Sequence, residues 1–296
     1  MHSNSELGGG GQYVKMDSDS YDVILNVLVG VKRSLSDLTD VLPKKLDDYQ
    51  YVKKLTMESD WITSRAQRRS TYKFTDYAPL AFQKIRHLNK INENDYIKSM
   101  GPEQIINSLW SNNTETLYEL CSSGKSGALF YYTKDKQYML KSIAGREFKK
   151  LFAVLKDYVQ HLSDNPDSLM TKFYGMYRLE WQNPSATQTC GFAKPYVCHL
   201  IVMENLFRAL DVGIRFDLKG SKAARTRLKE GESVYTGRDT KVSLKDNDFR
   251  EHFGKIQFEE KFKQDMPDFH LVIRRDVDFL TRNNLIDYSF LVGEVV

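Results

Sequence analysis

The chain is predicted to adopt an α+β fold, and three stretches carry that prediction. Residues 128–143 place aromatic and aliphatic side chains on both sides of Thr133-Lys134-Asp135-Lys136, the pattern of a β-hairpin. Glu147 then opens a run with Phe148, Leu151, Phe152, Leu155, Val159 and Leu162 on one helical face and Lys149, Lys150, Lys156 and Gln160 on the other, ending near Asn165-Pro166. Lys172–Tyr177 and Tyr196–Met203 read as two further strands around a polar excursion that contains Asn183-Pro184.

A chain of 296 residues, 41% hydrophobic and 28% charged, can bury a sizeable core as one large domain or two lobes. Its formal charge of +4 is modest, so an anionic partner must be met by a local basic patch and not by the field of the whole molecule. Nucleic acid is not called for by these numbers. Cys121, Cys190 and Cys198 are widely spaced and odd in number, which argues against a disulfide framework and a four-ligand zinc site and fits a reducing, intracellular compartment. The apolar run Val23–Val31 is too short to span a bilayer and the leader is not signal-like, so the expectation is a chain neither secreted nor membrane-spanning.

In chain order, residues 1–20, with Gly8 to Gly11 among polar neighbours, are expected to be a flexible tail. Val23–Val31 fits a buried helix or a strand. Residues 34–72 are polar, and their small basic clusters, Lys44-Lys45, Lys53-Lys54 and Arg65 to Arg69, read as solvated loop or as contacts to anionic lipid. Phe74–Pro79 is expected to start a helix, with Asp76 as its cap, Pro79 in the first turn, and Phe82, Ile85 and Leu88 following. A second short helix would carry Ile105, Ile106, Leu109 and Trp110. Residues 231–243 read as a polar insertion. Phe269, Val272, Ile273, Val277 and Leu280 form the stripe of a late helix that closes at Asn283-Asn284, with Asp276 and Asp278 as exposed acids, and Phe290-Leu291-Val292 begins a strand.

Several residues carry chemistry. Gly124-Lys125-Ser126-Gly127 lies before the hairpin; a Walker loop would need glycine at position 119, where Glu119 stands, so a glycine-rich turn between strands is the remaining phosphate-binding form. Lys141, between Leu140 and Ser142, is a strand lysine that would need a phosphate or carboxylate if buried. Glu147 is either that carboxylate or an ordinary acid in a first helical turn. Met203-Glu204-Asn205-Leu206 leaves a strand. Arg215, Lys219, Lys222, Arg225, Arg227 and Lys229 crowd one segment; a solvated loop, a nucleic-acid contact and phosphate chemistry about Gly220 are its three readings. Asp287 stands alone between apolar runs.

At these residues the chain resembles the phosphatidylinositol phosphate kinases. The resemblance rests on Asp217-Leu218-Lys219-Gly220-Ser221 with the following Arg225, on Asp287-Tyr288-Ser289-Phe290-Leu291-Val292-Gly293, on Asp76-Tyr77-Ala78-Pro79, on Asn94-Asp95-Tyr96 and on Leu244–Phe249, in the family's order from about Tyr21 to Gly293. It implies a two-lobed, protein-kinase-like lipid kinase over 21–296, with an N-terminal lobe to about 204, a hinge at Met203, Asn205 and Leu206, and the start of a C-terminal lobe from about 205. It implies ATP and Mg2+ as cofactors. ATP would be met by Gly124, Lys125, Ser126, Gly127, Lys141 and Glu147, phosphate would be handled by Asp217, Lys219 and Arg225, and Asp287 would orient or deprotonate the attacking inositol hydroxyl. The implied reaction is phosphorylation of phosphatidylinositol 4-phosphate at its 5-hydroxyl. The implied partners are that lipid, an anionic membrane surface at the cytoplasmic face, chiefly the plasma membrane, and a second copy paired through the N-terminal platform. No magnesium ligand is recognised before Val296, where the family continues into an acidic metal-binding motif and a lipid-contacting loop. A truncated kinase and a pseudokinase that binds phosphoinositide without transferring phosphate are the two expectations that follow.

Overall fold

The computed structural model describes residues 11–13, 19–36, 51–59, 70–103, 118–120, 129–181, 197–208, 212–229, 231–233, 243–256, 260–265, 268–286 and 288–295. The larger of two compact units, Gly10–Pro166 with Thr171–Leu206, is built on an eight-stranded sheet. Its strands are β1 (Gly11–Tyr13), β2 (Val52–Ser59), β3 (Ser70–Tyr77), β4 (Tyr118–Leu120), β5 (Phe130–Tyr132), β6 (Tyr138–Ile143), β7 (Phe173–Trp181) and β8 (Val197–Glu204). They lie in the order β1-β4-β5-β6-β8-β7-β3-β2, each neighbouring pair antiparallel.

Alternation decides which side of this sheet is dry. Tyr138, Leu140 and Ser142 of β6 share a buried face with Val202, Leu200, Tyr177, Leu179 and Phe74. Helices α1 (Asp19–Ser36), α2 (Pro79–Leu88) and α3 (Glu93–Ser99) cover that face: Gly30 of α1 lies on the Phe74 ring, Arg86 of α2 donates to the Tyr174 carbonyl, and Tyr96 of α3 meets Tyr138 edge-on. The opposite face receives α4 (Gly145–Asp164), whose Phe148 packs against Tyr77 and His199.

The run Val23–Val31 resolves as helix, because Val23, Ile24, Val27, Leu28, Val31 and Leu35, spaced three and four apart, are all buried. Three expectations fail nearby. Part of the polar leader is structured: Gly11–Tyr13 pairs with Tyr118–Leu120, and α1 begins at Asp19. Lys53 and Lys54 lie on β2, paired along its length with β3, and not in a solvated loop. Asp76 is no helix cap: β3 runs through it, α2 starts at Pro79 behind Ala78 with φ 49°, and Asp76 is buried against Ser34 of α1. The clusters at Lys44-Lys45 and Arg65 to Arg69 and the helix predicted about Ile105, Ile106, Leu109 and Trp110 lie outside the described residues.

The smaller unit, Asp167–Met170 with Phe207–Val296, centres on a three-stranded sheet, β10-β9-β11, of β9 (Val212–Leu218), β10 (Ser243–Leu244) and β11 (Phe290–Val295). β10 runs parallel to β9 and β11 antiparallel. Helices α5 (Asp246–His252), α6 (Glu260–Asp265) and α7 (Phe269–Arg282) complete it. Ile214, Phe216 and Leu244 form its core, and Phe216 is met edge-on by Phe249 and Phe253. Asp276, expected as an exposed helix acid, is 7% exposed: it accepts from Ser168 Oγ and the Leu169 N–H, tying Asp167–Met170 to α7. Asp278 is exposed as expected. The chain is thus an α+β fold of mainly antiparallel sheets, and among the described residues no helix is long and apolar enough to cross a membrane.

Candidate functional site

In the smaller unit the predicted phosphate segment begins as regular strand. β9 carries Asp217 opposite Leu291 of β11, then leaves the sheet at Gly220, whose φ is 70°. A side chain at Gly220 would meet nothing within 4 Å, so glycine is required there by backbone conformation and not by space. Beyond it Lys222, Arg227 and Lys229 are exposed, as is Lys219 before it.

What fixes this basic segment is the head of α5. Asp246 Oδ1 accepts the N–H groups of Lys219 at 2.9 Å and Gly220 at 2.7 Å, while its Oδ2 accepts Arg225 Nε at 2.7 Å. The Asn247 N–H donates to the Arg225 carbonyl, and its side-chain amide donates to the Lys222 carbonyl and Thr226 Oγ1. Asp248, 1% exposed, accepts the N–H groups of Arg227, Leu228 and Lys245. Three consecutive side chains therefore satisfy much of the loop's backbone, the condition for a loop to hold one shape. The resemblance singled out Leu244–Phe249 only as a landmark and did not give these residues a task; the signal available in sequence was the acid-amide-acid run Asp246-Asn247-Asp248, well suited to loop and cap bonding.

Arg225 was expected to offer its fork to phosphate, but two of its nitrogens are turned inward. Nε meets Asp246, and Nη2 donates to the Asp217 carbonyl and lies 3.5 Å from Asp217 Oδ2. Burial works to lower the Arg225 pKa, and the bonds to Asp246 and the charge of Asp217 outweigh it, so the group is held above its usual value. The other oxygen of Asp217, Oδ1, is buried and accepts no hydrogen bond among the described residues.

Lys219 lines a cleft of about 540 Å³ together with Thr281, Asn284, Leu285, Ile286 and Tyr288. Asp287 lies outside the described residues, but its neighbours on both sides line this cleft, Ile286 being 87% exposed and Tyr288 47%. A cation and an apolar turn that flanks an acid are thereby brought together from residues nearly 70 positions apart in the sequence.

The remaining predicted residues belong to the larger unit. Lys141 sits on β6 opposite Phe130 and Ile201, on the half-exposed face and not in a fully buried strand, with Nζ 5.3 Å from the Phe130 ring centre. Met139 and Met203 lie opposite one another on the same face. Glu147 does not answer Lys141: its Oε2 accepts the Ala144 N–H at 3.0 Å at the head of α4, and among the described residues the two are not ion-paired. Asn205 donates through its backbone to the Gln137 carbonyl and through its side chain to the Lys136 carbonyl, and Leu206 is 42% exposed. Gly124, Lys125, Ser126 and Gly127 lie outside the described residues; they connect β4 to β5, which are paired neighbours.

Comparison with known proteins identifies the family of the chain. A family model described as Phosphatidylinositol-4-phosphate 5-Kinase matches residues 111–295. A phosphatidylinositol 4-phosphate 5-kinase of Plasmodium falciparum is 32% identical over 276 residues, 93% of this chain and 15% of that protein. One from Schizosaccharomyces pombe is 29% identical over 96% of this chain and 35% of its own length, and phosphatidylinositol 4-phosphate 5-kinase 1 of Arabidopsis thaliana is 30% identical over 98% of this chain and 35% of its own. The chain thus spans about a third or less of these relatives. Matched across both of its units, it belongs to the phosphatidylinositol-4-phosphate 5-kinase family.

Proposed function

We propose that the chain binds ATP and transfers its γ-phosphate to a phosphatidylinositol phosphate, at the 5-hydroxyl of phosphatidylinositol 4-phosphate, on the cytoplasmic face of a membrane. The observation that carries this reading is the cleft that Lys219 lines together with Leu285, Ile286 and Tyr288, the last two being the sequence neighbours of Asp287. Asp287 orients or deprotonates the attacking hydroxyl, and Lys219 meets the phosphate charge that builds during transfer. Asp217 and Arg225 take a supporting part, bracing the Lys219 loop. The names of the relatives support the choice of lipid and hydroxyl.

Nucleotide binding falls to the larger unit. Lys141 presents a cation on a half-open face beside Met139, Phe130, Ile201 and Met203, a surface suited to an aromatic base and a phosphate. Gly124–Gly127, joining two paired strands, supplies backbone N–H groups to the phosphates, and Met203, Asn205 and Leu206 stand where a kinase hinge meets adenine. In this reading Glu147 serves the helix and not the lysine. A two-lobed arrangement with its boundary near 204–205 is part of the same proposal. Magnesium accompanies ATP in such chemistry. Among the described residues no group of three or more His, Cys, Asp or Glu side chains gathers to hold a metal, so no ligand is assigned.

The test is transfer of label from γ-labelled ATP to phosphatidylinositol 4-phosphate vesicles with magnesium, for the unsubstituted chain, Lys141→Ala and Asp287→Asn. Labelled bisphosphate that falls about 100-fold or more in both variants supports the reading. A folded, unsubstituted chain that yields no label above background overturns it.

A further inference from the structure

We infer that Asp246 is the positioning residue of the candidate site, its carboxylate setting where Lys219 stands in the cleft. The inference rests on the kinase reading of that cleft. Lys219 lies at the edge of β9, and beyond it the chain turns away at Gly220 through a conformation that only the backbone selects. The N–H groups of Lys219 and Gly220 converge on one oxygen of Asp246, a residue 27 and 26 positions later in the chain.

The arrangement asks for a carboxylate in particular. One oxygen takes two backbone donors, and the other faces the Arg225 Nε, which can only donate. An asparagine would keep the first oxygen and set its amide nitrogen against Arg225, donor to donor. Arg225 in turn reaches the Asp217 carbonyl, so the carboxylate joins the end of β9, the Lys219–Gly220 turn and the head of α5 in one figure. Burial works to raise the Asp246 carboxyl, and the bonds from Arg225, Lys219 and Gly220 outweigh it, leaving its pKa lowered and the group charged at neutral pH.

The whole chain carrying Asp246→Asn or Asp246→Ala provides the test, read by amide hydrogen exchange and by kinetics on phosphatidylinositol 4-phosphate vesicles with magnesium and ATP. Exchange at the Lys219 and Gly220 amides is expected to rise at least tenfold in Asp246→Ala and less in Asp246→Asn, with the β9–β11 ladder unchanged. The value of kcat is expected to fall about tenfold in the asparagine variant and about 100-fold in the alanine variant, with KM for ATP within twofold of its starting value, as a displaced group demands. Should the alanine variant not fold, the asparagine variant alone decides. Unchanged exchange at Lys219 and Gly220 overturns the inference, as does raised exchange with kcat intact. Raised exchange in a chain whose unsubstituted form transfers no phosphate leaves the clamp standing and removes the kinase reading instead.

Discussion

Asp76 is 2% exposed and receives one hydroxyl, that of Ser34 at 2.7 Å, with the charges of Arg86 and Lys53 close enough to favour its ionised form. Arg86 is committed elsewhere, paired through Nε and Nη2 with Glu93 and donating to the Tyr174 carbonyl. Burial therefore wins and pushes the Asp76 carboxyl from 3.8 up to about 7. A folded pKa above the unfolded one means that the protonated acid is preferred by the fold: its contribution is complete below about 3.8 and is lost as pH rises through about 7. Asp76→Asn keeps an acceptor for Ser34 and removes the charge, so it should raise the melting temperature at pH 8 by more than at pH 5. Equal shifts at both pH values in thermal melts would contradict this. The sequence could suggest a cap for this residue, since an acid before Ala-Pro has that form, but the competing period-two pattern Tyr72, Phe74, Asp76 placed it in a strand. An acid on a buried strand face is rare enough that the cap was the natural inference.

Helix α1 illustrates how an element is accepted by its neighbour. A Cβ added at Gly30 would lie 2.3 Å from the Phe74 ring, which is itself fully buried and stacked on Tyr177 at 5.3 Å. Gly30→Ala would gain about 1 kcal/mol of helix propensity and lose about 1–3 kcal/mol to overpacking, because the ring has no room to yield. A net destabilisation of up to about 2 kcal/mol is expected from denaturant unfolding of the variant, and a stabilised variant would show that α1 can shift away from β3. Elements differed in how plainly the sequence announced them. The hairpin β5–β6 and helices α4 and α7 have strong apolar periodicity and stand where it placed them. In β9 the alternation Ile214, Phe216, Leu218 is equally regular, but the cluster of cations around it drew attention to charge. In β2 the turns of Lys, Thr and Glu conceal a strand whose partner, β3, supplies the register.

For the molecule as a whole, the modest charge of +4 leaves any attraction to anionic membrane to particular surfaces. On the membrane reading proposed above, Lys222 and Lys229, both exposed on the loop beyond Gly220, supply one such surface. Lys222→Glu with Lys229→Glu should weaken sedimentation onto anionic vesicles about tenfold or more, at roughly 1 kcal/mol per charge. The same change in net charge made at the exposed Lys134 and Lys156 should do much less; equal losses in the two pairs would show that net charge and not the patch governs binding. At this scale the sequence was least informative, because the deciding contacts join distant positions: Asp246 to Lys219, Asp276 to Ser168, Ser34 to Asp76. Motifs single out Lys219 and Asp287 as candidates, while the acid-amide-acid run 246–248 marks loop bonding in the sequence without saying which distant loop it holds. The parallel pairing of β10 with β9 has a practical corollary for anyone wishing to modify this protein. Residues 219–228 are bonded to Asp246–Asp248, so both ends of the stretch 230–242 are fastened to one small sheet before its length matters. Doubling a tethered connection costs only about 0.6 kcal/mol. A reporter peptide or affinity handle spliced into that stretch should therefore leave the shape of the lysine-bearing turn as it is.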